Sequence, residues 1–206
     1  MAYNVLQKLR DNVRAISVAI DYQNGHALST DNVTDLKKYS GFGGIKAILF
    51  PFGPMEEWQE KGATKEDLRL YEDITQLHNI LKNNLSESEY KDTIASLRNS
   101  VLTAFYTPDI VPQTLYKVLD AQGIQPKRMY EPSSGSGVFV TEAEKLLPQL
   151  ELITAVEKDR LTGMILSAIN SSLTIKTNTH IGGFEEAPVK DNGSYDLVVS
   201  NIPFGN

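Results

Sequence analysis

Tyr130-Glu131-Pro132-Ser133-Ser134-Gly135-Ser136-Gly137-Val138-Phe139 reads as the end of a buried strand, a glycine-bearing turn and the start of a helix. Glycine has no Cβ to hold a ligand off, so such a turn brings backbone N–H groups close to it. The helix that follows adds its free N–H groups and the positive end of its dipole. The stretch therefore points to a bound anionic or polar group, and the alternative is an ordinary strand–helix connection.

Downstream, strands and helices alternate. Residues 128–131 form a short strand, and 137–147 a helix stopped before Pro148. Residues 151–157 (ELITAVE) read as a strand, 159–171 as a helix, 173–176 as a strand and 195–200 (YDLVVS) as an apolar strand. This alternation predicts a parallel sheet with helices on both faces. Ligands of such sheets bind at the carboxyl ends of the strands. The segments at Glu131 to Phe139, at Glu157, at Gly182 to Glu186 and at Asn201 to Phe204 are thus expected on one rim.

Upstream the pattern is helix and loop. Val5, Leu6, Leu9, Val13, Ile16 and Ile20 recur at helical spacing over 3–20, and Asn24-Gly25 ends that helix. A second helix is expected from Thr30 or Asp31 to Lys38. Tyr39-Ser40-Gly41-Phe42-Gly43-Gly44-Ile45 is a loop, either a ligand or nucleic-acid contact or a tight turn against the core. Thr64-Lys65-Glu66-Asp67 opens a helix with Leu68, Tyr71, Ile74, Leu77, His78 and Leu81 inward. Ser86 and Glu89 make a capping box for another, reaching Leu102. The character changes at Phe105-Tyr106-Thr107-Pro108, where Thr107 suits an N-cap and Pro108 a first helical position. The predicted division is a helical region, 1–102, and an α/β region, 103–206.

The 206 residues are 41% hydrophobic and 22% charged, which fits a globular chain able to bury a core. No apolar run is long enough for a membrane helix, and a cytoplasmic location is expected. Cysteine is absent, which removes thiolate chemistry and Cys-ligated zinc. His26, His78 and His180 lack ligand spacing, so no metal site is expected. The net charge of −6 makes unaided grip on nucleic acid unfavourable.

Glu157 ends the second strand, 20 residues after Gly137. An acid there can accept hydrogen bonds from both ribose hydroxyls of a nucleoside. Both NAD and S-adenosylmethionine fit that logic, and two details favour the second. Val140 replaces the third glycine of G-x-G-x-x-G, and Glu131 would receive an ammonium group but repel a pyrophosphate. After the last strand come Asn201, Ile202, Pro203 and Phe204. Asn201 can offer its side-chain oxygen and Ile202 its carbonyl to the N–H protons of a base amino group. Pro203 holds Ile202 extended, and Phe204 can stack on a base that has been flipped from the duplex.

On these elements the chain resembles the N6-adenine DNA methyltransferases in which the cofactor region precedes the catalytic one. The resemblance implies a Rossmann-like, S-adenosylmethionine-dependent methyltransferase sheet of α/β class, incomplete at its C-terminal end and preceded by the all-helical region. It implies cofactor contacts from Tyr106, Thr107 and Pro108, from Glu131, Pro132, Ser134, Gly135, Gly137 and Phe139, and from Glu157 and Phe184. It implies catalysis by Asn201, Ile202, Pro203 and Phe204. The family's Asp-Phe pair after the third strand reads Gly183-Phe184 here, so the aspartate that meets the cofactor's adenine is missing; Glu185 or Glu186 would have to replace it. The N-P-P-Y/F element carries Ile202 for its first proline, a position that works through its main chain. Tyr39 to Gly44 and Ser200 to Asn206 are similar to the N-terminal part of large methylase–helicase fusion proteins of bacterial mobile elements.

The resemblance implies DNA as partner of the full-length protein, together with the remaining methylase strands, a target-recognition region and a helicase region of the same chain. The chain stops two residues after Phe204, so a fragment that binds cofactor with little turnover is expected. An unprotected last strand would favour dimers. Other readings are a non-catalytic methyltransferase-like scaffold or DNA-facing module, and a protein-glutamine or RNA methyltransferase. An NAD-dependent oxidoreductase ranks last.

Overall fold

The computed structural model describes residues 4–103, 106–186 and 193–202. The chain divides into two compact units, Met1–His26 with Thr34–Phe105 and Ala27–Val33 with Tyr106–Asn206. Among the described residues no helix is long and apolar enough to cross a membrane.

The first unit is helical. Helix α1 (Val5–Gln23) is capped by the Asn4 side chain, which accepts from Gln7 N–H at 3.1 Å. It buries Leu9, Val13, Ile16 and Ile20. Helix α2 (Thr30–Lys37) follows, then a short 3₁₀ turn at Lys46–Leu49 and helix α3 (Met55–Glu60). Trp58 is fully buried, donates to the Pro51 carbonyl at 2.8 Å and packs between Phe50 and Tyr71. A six-residue helix is too short to show periodicity, so sequence gave no sign of it.

The single helix expected after Thr64 is two, α4 (Lys65–Leu68) and α5 (Tyr71–Asn84). The chain tightens where Leu70 N–H donates to the Asp67 carbonyl, and Leu70 rather than Leu68 enters the core. Helix α6 (Glu87–Thr103) starts at the expected capping box, with Ser86 and Glu89 bonded in both directions.

The loop at 39–45 is a turn packed on the core. Phe42 is fully buried, Asn12 donates to Gly41 O at 2.7 Å and accepts from Ser40 N–H at 3.0 Å, and Gly44 N–H donates to Val101 O.

The second unit is a four-stranded parallel sheet in the order β3-β2-β1-β4. Its elements are α7 (Ile110–Ala121), β1 (Arg128–Glu131), α8 (Val138–Leu146), β2 (Leu152–Glu157), α9 (Arg160–Ser171), β3 (Lys176–Ile181) and β4 (Leu197–Val198). Register pairs Met129 with Ile153 and Leu197, and Ile153 with Thr177. Met129, Ile153 and Ala155 share a core with Tyr116 of α7, with Phe139, Val140 and Ala143 of α8, and with Leu166 of α9.

Thus α7, α8 and α9 all lie on one face, where helices on both were expected. Right-handed crossovers that step twice in the same direction, β1 to β2 to β3, put both helices on the same side. The described part of the β3–β4 connection holds one 3₁₀ turn, Phe184–Glu186, and no further helix.

Two strands differ from expectation. β3 begins at Lys176 rather than 173, because its Thr-Asn-Thr-His run lacks the apolar signal while Leu173 and Ile175 pack on the core just before it. β4 is two residues long, although Asp196 N–H and Val199 N–H extend its bonding to Arg128 O and Tyr130 O. Helix α7 starts at Ile110, so Thr107 is not its cap; it presents Ile110, Val111, Leu115 and Val118 exposed and buries Tyr116.

Candidate functional site

β1 is flanked by β2 on one side and β4 on the other, which makes its carboxyl end the point where the strand order reverses. In doubly wound sheets that is where ligands enter. The turn after β1 stands there. Ser134 N–H donates to Val156 O at 2.8 Å, and Ser134 Oγ to Glu131 O at 3.1 Å, so the turn is pinned to β2 and to its own strand.

Gly135 and Gly137 both have positive φ, 55° and 86°. Gly137 stands at the start of α8, and a Cβ there would come within 2.8 Å of Leu166 Cδ1. A Cβ on Gly135 would only touch the Tyr106 ring at 3.7 Å, so Tyr106 lies against the turn. One glycine serves helix packing, and the other keeps the backbone bare beside an aromatic ring.

Glu131, the last residue of β1, is 1% exposed, and among the described residues neither of its carboxylate oxygens has a hydrogen-bond partner. Burial drives its pKa well above the usual carboxylate range; the nearby Ser134 hydroxyl opposes the rise and Glu157 adds to it. A buried acid without a partner is costly to the fold. A cationic group bound beside it would remove that cost.

Glu157, at the end of β2, ties the rim together. Its Oε2 accepts from Gly135 N–H at 2.7 Å and its Oε1 from Asp159 N–H at 2.8 Å. Burial raises its pKa, and these N–H groups oppose the rise. Each carboxylate oxygen has a second lone pair, so ribose hydroxyls remain within its capacity. Its main-chain oxygen accepts from Gly182 N–H at 2.9 Å, which fixes the start of the loop after β3. Asp159 caps α9 by accepting from Thr162 N–H.

The segment after β4 reaches the same rim. Ser200 Oγ donates to Ser133 O at 3.2 Å. Asn201 Nδ2 donates to Thr107 Oγ1 at 3.0 Å, which leaves the side-chain oxygen as the group that can accept. Asn201 and Ile202 are exposed, and Pro203 and Phe204 lie outside the described residues.

The structure therefore gathers Tyr106, Thr107, Glu131, Ser134, Gly135, Glu157 and Asn201 around one turn. Pro132 is half-buried and Pro108 exposed. Phe139 is a core residue of α8, whose carbonyl accepts from Tyr116 OH. Phe184 is 59% exposed on the loop after β3. Sequence reasoning passed over Ser133 and Ser200, which join the turn to the exit of β4, and Asp196. Asp196 accepts from Lys127 and Arg128 N–H, bonds that lower its pKa and hold β4 to the start of β1. Its place just before an apolar strand was the available signal.

The second unit is a Rossmann-like α/β sheet with a glycine turn at its switch point and an acid at the ends of both β1 and β2, the place where such sheets take their ligands. Comparison with known proteins finds relatives over parts of their length. The chain is similar to the defense against restriction protein B of Escherichia phage P1, 27% identical over 185 residues, which are 84% of this chain and 8% of that protein. It is also similar to the type II methyltransferase M.XamI of Xanthomonas campestris pv. amaranthicola, 29% identical over 103 residues, 49% of this chain and 19% of that one. The resemblance to methyltransferases read from the motifs is borne out by these relatives, of which the chain spans a small part.

Among solved structures it resembles a class I S-adenosylmethionine-dependent methyltransferase from Listeria monocytogenes (16% identity, TM-score 0.44, 97% of this chain and 60% of that one). It also resembles the type I restriction-modification system methyltransferase subunit from Streptococcus thermophilus (12%, TM-score 0.43, 97% and 57%). No family model matches the chain.

Proposed function

We propose that this chain is the S-adenosylmethionine-binding part of a DNA adenine-N6 methyltransferase. The observation that carries the reading is Glu131. A carboxylate 1% exposed with no partner for either oxygen suits the α-ammonium of a methionine moiety. Gly135 offers a bare backbone, Tyr106 an aromatic wall, and Glu157 an acceptor for ribose hydroxyls.

S-adenosylmethionine supplies an electrophilic methyl group on its sulfonium. The chain's part is to hold the acceptor. The lone pair of adenine N6 is delocalised into the ring, so acceptors for its two N–H protons favour charge build-up on nitrogen as the methyl transfers. Asn201, steadied by Thr107, offers its side-chain oxygen, and Ile202 its main-chain carbonyl. Phe204 is assigned to stacking on the flipped base.

Calorimetric titration with S-adenosylmethionine tests the cofactor reading. Binding that Glu131→Gln and Glu157→Ala each weaken by tenfold or more supports it; absence of heat overturns it. Transfer of a radiolabelled methyl group to DNA, RNA or protein, and its loss in Asn201→Ala, tests the substrate in a form of the protein carrying the further segments of its longer relatives. A non-catalytic scaffold is the second reading, favoured by Gly183 in place of an acid, and transfer to DNA that depends on Asn201 would rule it out.

A further inference from the structure

Several cations of the helical unit stand against acids. Arg10 pairs with Asp73 at 3.1 Å, Arg14 and Lys38 with Asp35 at 2.9 and 2.8 Å, and Lys91 with Glu87 at 2.6 Å. Lys82 of α5 and Arg98 of α6 have no such partner among the described residues, and no acid lies three or four residues from either along its helix. Glu57, whose side chain lies against Gly53, is matched by Lys61 at 3.5 Å.

Rings and carbonyls hold these two cations instead. Lys82 Nζ stands 4.1 Å from the centroid of the Phe52 ring and 5.2 Å from that of Tyr90. Arg98 Nε donates to Ile48 O at 3.4 Å and Nη2 to Phe50 O at 3.3 Å, which ties the guanidinium to the turn before Phe52 and leaves Nη1 open. After burial, the charges of Arg98 and Lys82 lower the pKa of His78, so both act on one ring, and that ring packs 4.9 Å from Phe52. Beside them Phe52 is 39% exposed and Leu49 49%. Two cations without a counter-ion therefore stand on one surface with an exposed aromatic ring and an exposed aliphatic chain.

We infer that Leu49, Phe52, Lys82 and Arg98 form a contact surface for single-stranded nucleic acid, with phosphates at the two cations and a base on Phe52 and Leu49. A π-face holds a cation without cancelling its charge, so an anion is the partner these groups lack. Cations interleaved with rings suit a strand whose phosphates alternate with flat bases, since every base has a face to stack. An acidic peptide would supply the charge without the flat rings. The net charge of −6 belongs to the whole chain, whereas contact of this kind is set by charge within a Debye length. Binding is accordingly modest and steeply salt-dependent. The inference concerns the helical unit alone and does not rest on the proposed cofactor reading.

The experiment is fluorescence anisotropy of the whole chain with a labelled oligothymidylate of about twenty nucleotides, titrated at several salt concentrations. Lys82→Gln and Arg98→Gln are each expected to weaken binding at low salt and to lower the slope of log affinity against log salt by about 0.7. Phe52→Ala should weaken binding by about fivefold or more and leave the slope unchanged. Lys82→Arg keeps the charge and should bind as the wild type does, as should Glu87→Gln combined with Lys91→Gln, which removes a matched pair elsewhere on the unit. Absence of binding at low salt, or affinity and slope unchanged in both Lys82→Gln and Arg98→Gln, overturns the inference. Polyglutamate competing as well as unlabelled oligothymidylate also overturns it, because the surface would then take acidic peptides. Circular dichroism of each variant separates loss of contact from loss of fold.

Discussion

Glu157 Oε2 accepts a 2.7 Å hydrogen bond from Gly135 N–H, so the acid that ends β2 fixes the turn that follows β1. Glu157→Ala leaves that N–H and the Asp159 N–H without their acceptors. Charge-assisted bonds of this kind are worth about 1.5–3 kcal/mol each. Affinity for S-adenosylmethionine is expected to fall by roughly ten- to a hundredfold, measured by titration, with a smaller effect on melting temperature.

Glu131 has the opposite balance. Its carboxyl has a raised pKa in the folded state, so folding binds a proton that the unfolded chain holds less tightly. Its stabilising protonated form is fully present below the unfolded pKa of about 4.5, and stability is lost as pH rises from there towards the folded pKa. Glu131→Gln is expected to raise the melting temperature of the ligand-free protein at pH 7.5 by about 2–4 °C, corresponding to ~1 kcal/mol. The gain should vanish near pH 4. The same substitution should weaken the cofactor at least tenfold, about 1.4 kcal/mol.

The two glycines of the turn separate stability from binding. Gly137→Ala puts a methyl 2.8 Å from Leu166 Cδ1 at φ 86°. It should cost about 2–3 kcal/mol in urea unfolding. Gly135→Ala meets only an ordinary contact with Tyr106; about 1 kcal/mol is expected for its positive φ. Its larger effect should be on cofactor affinity, because the methyl lies on the approach to the backbone. A ranking reversed in both assays would refute this division.

In the helical unit, His78 is held neutral. Burial, and then the charges of Arg98 and Lys82, lower its pKa from 6.5 to about 4. Its Nδ1 lies 2.6 Å from Tyr90 OH. The unfolded chain takes up a proton that the folded one refuses, so stability present above pH 6.5 is lost as pH falls towards 4, by roughly 2–3 kcal/mol. Replacing both partners, His78→Phe with Tyr90→Phe, should flatten that part of the pH profile in denaturant titrations.

Much of the site was legible because its chemistry is local. The run from Tyr130 to Phe139 encodes strand, turn and helix through adjacent residues, and Glu157 follows at a fixed distance along the same βαβ unit. The unpaired state of Glu131 was not legible, since burial is a property of the whole sheet. Asn201 and Thr107 are 94 residues apart, and no spacing rule foretells their bond. Likewise, Leu70 displaced Leu68 from the core because a tight turn overrode helical period. β3 was placed three residues early because polar residues occupy an edge strand that pairs with β2 alone, while the apolar Leu173 and Ile175 stand just before it.

The strand order also sets an order of assembly. β1, β2 and β3 pair through connections of a few tens of residues, whereas β4 must return to the free edge of β1 across more than sixty. Pairings that close long loops form slowly, and synthesis runs from the N-terminus. A nascent chain can thus complete the Glu131–Gly135–Glu157 turn while Asn201 is still inside the ribosome. The half proposed to hold the cofactor is built first, and the half proposed to meet the acceptor arrives last.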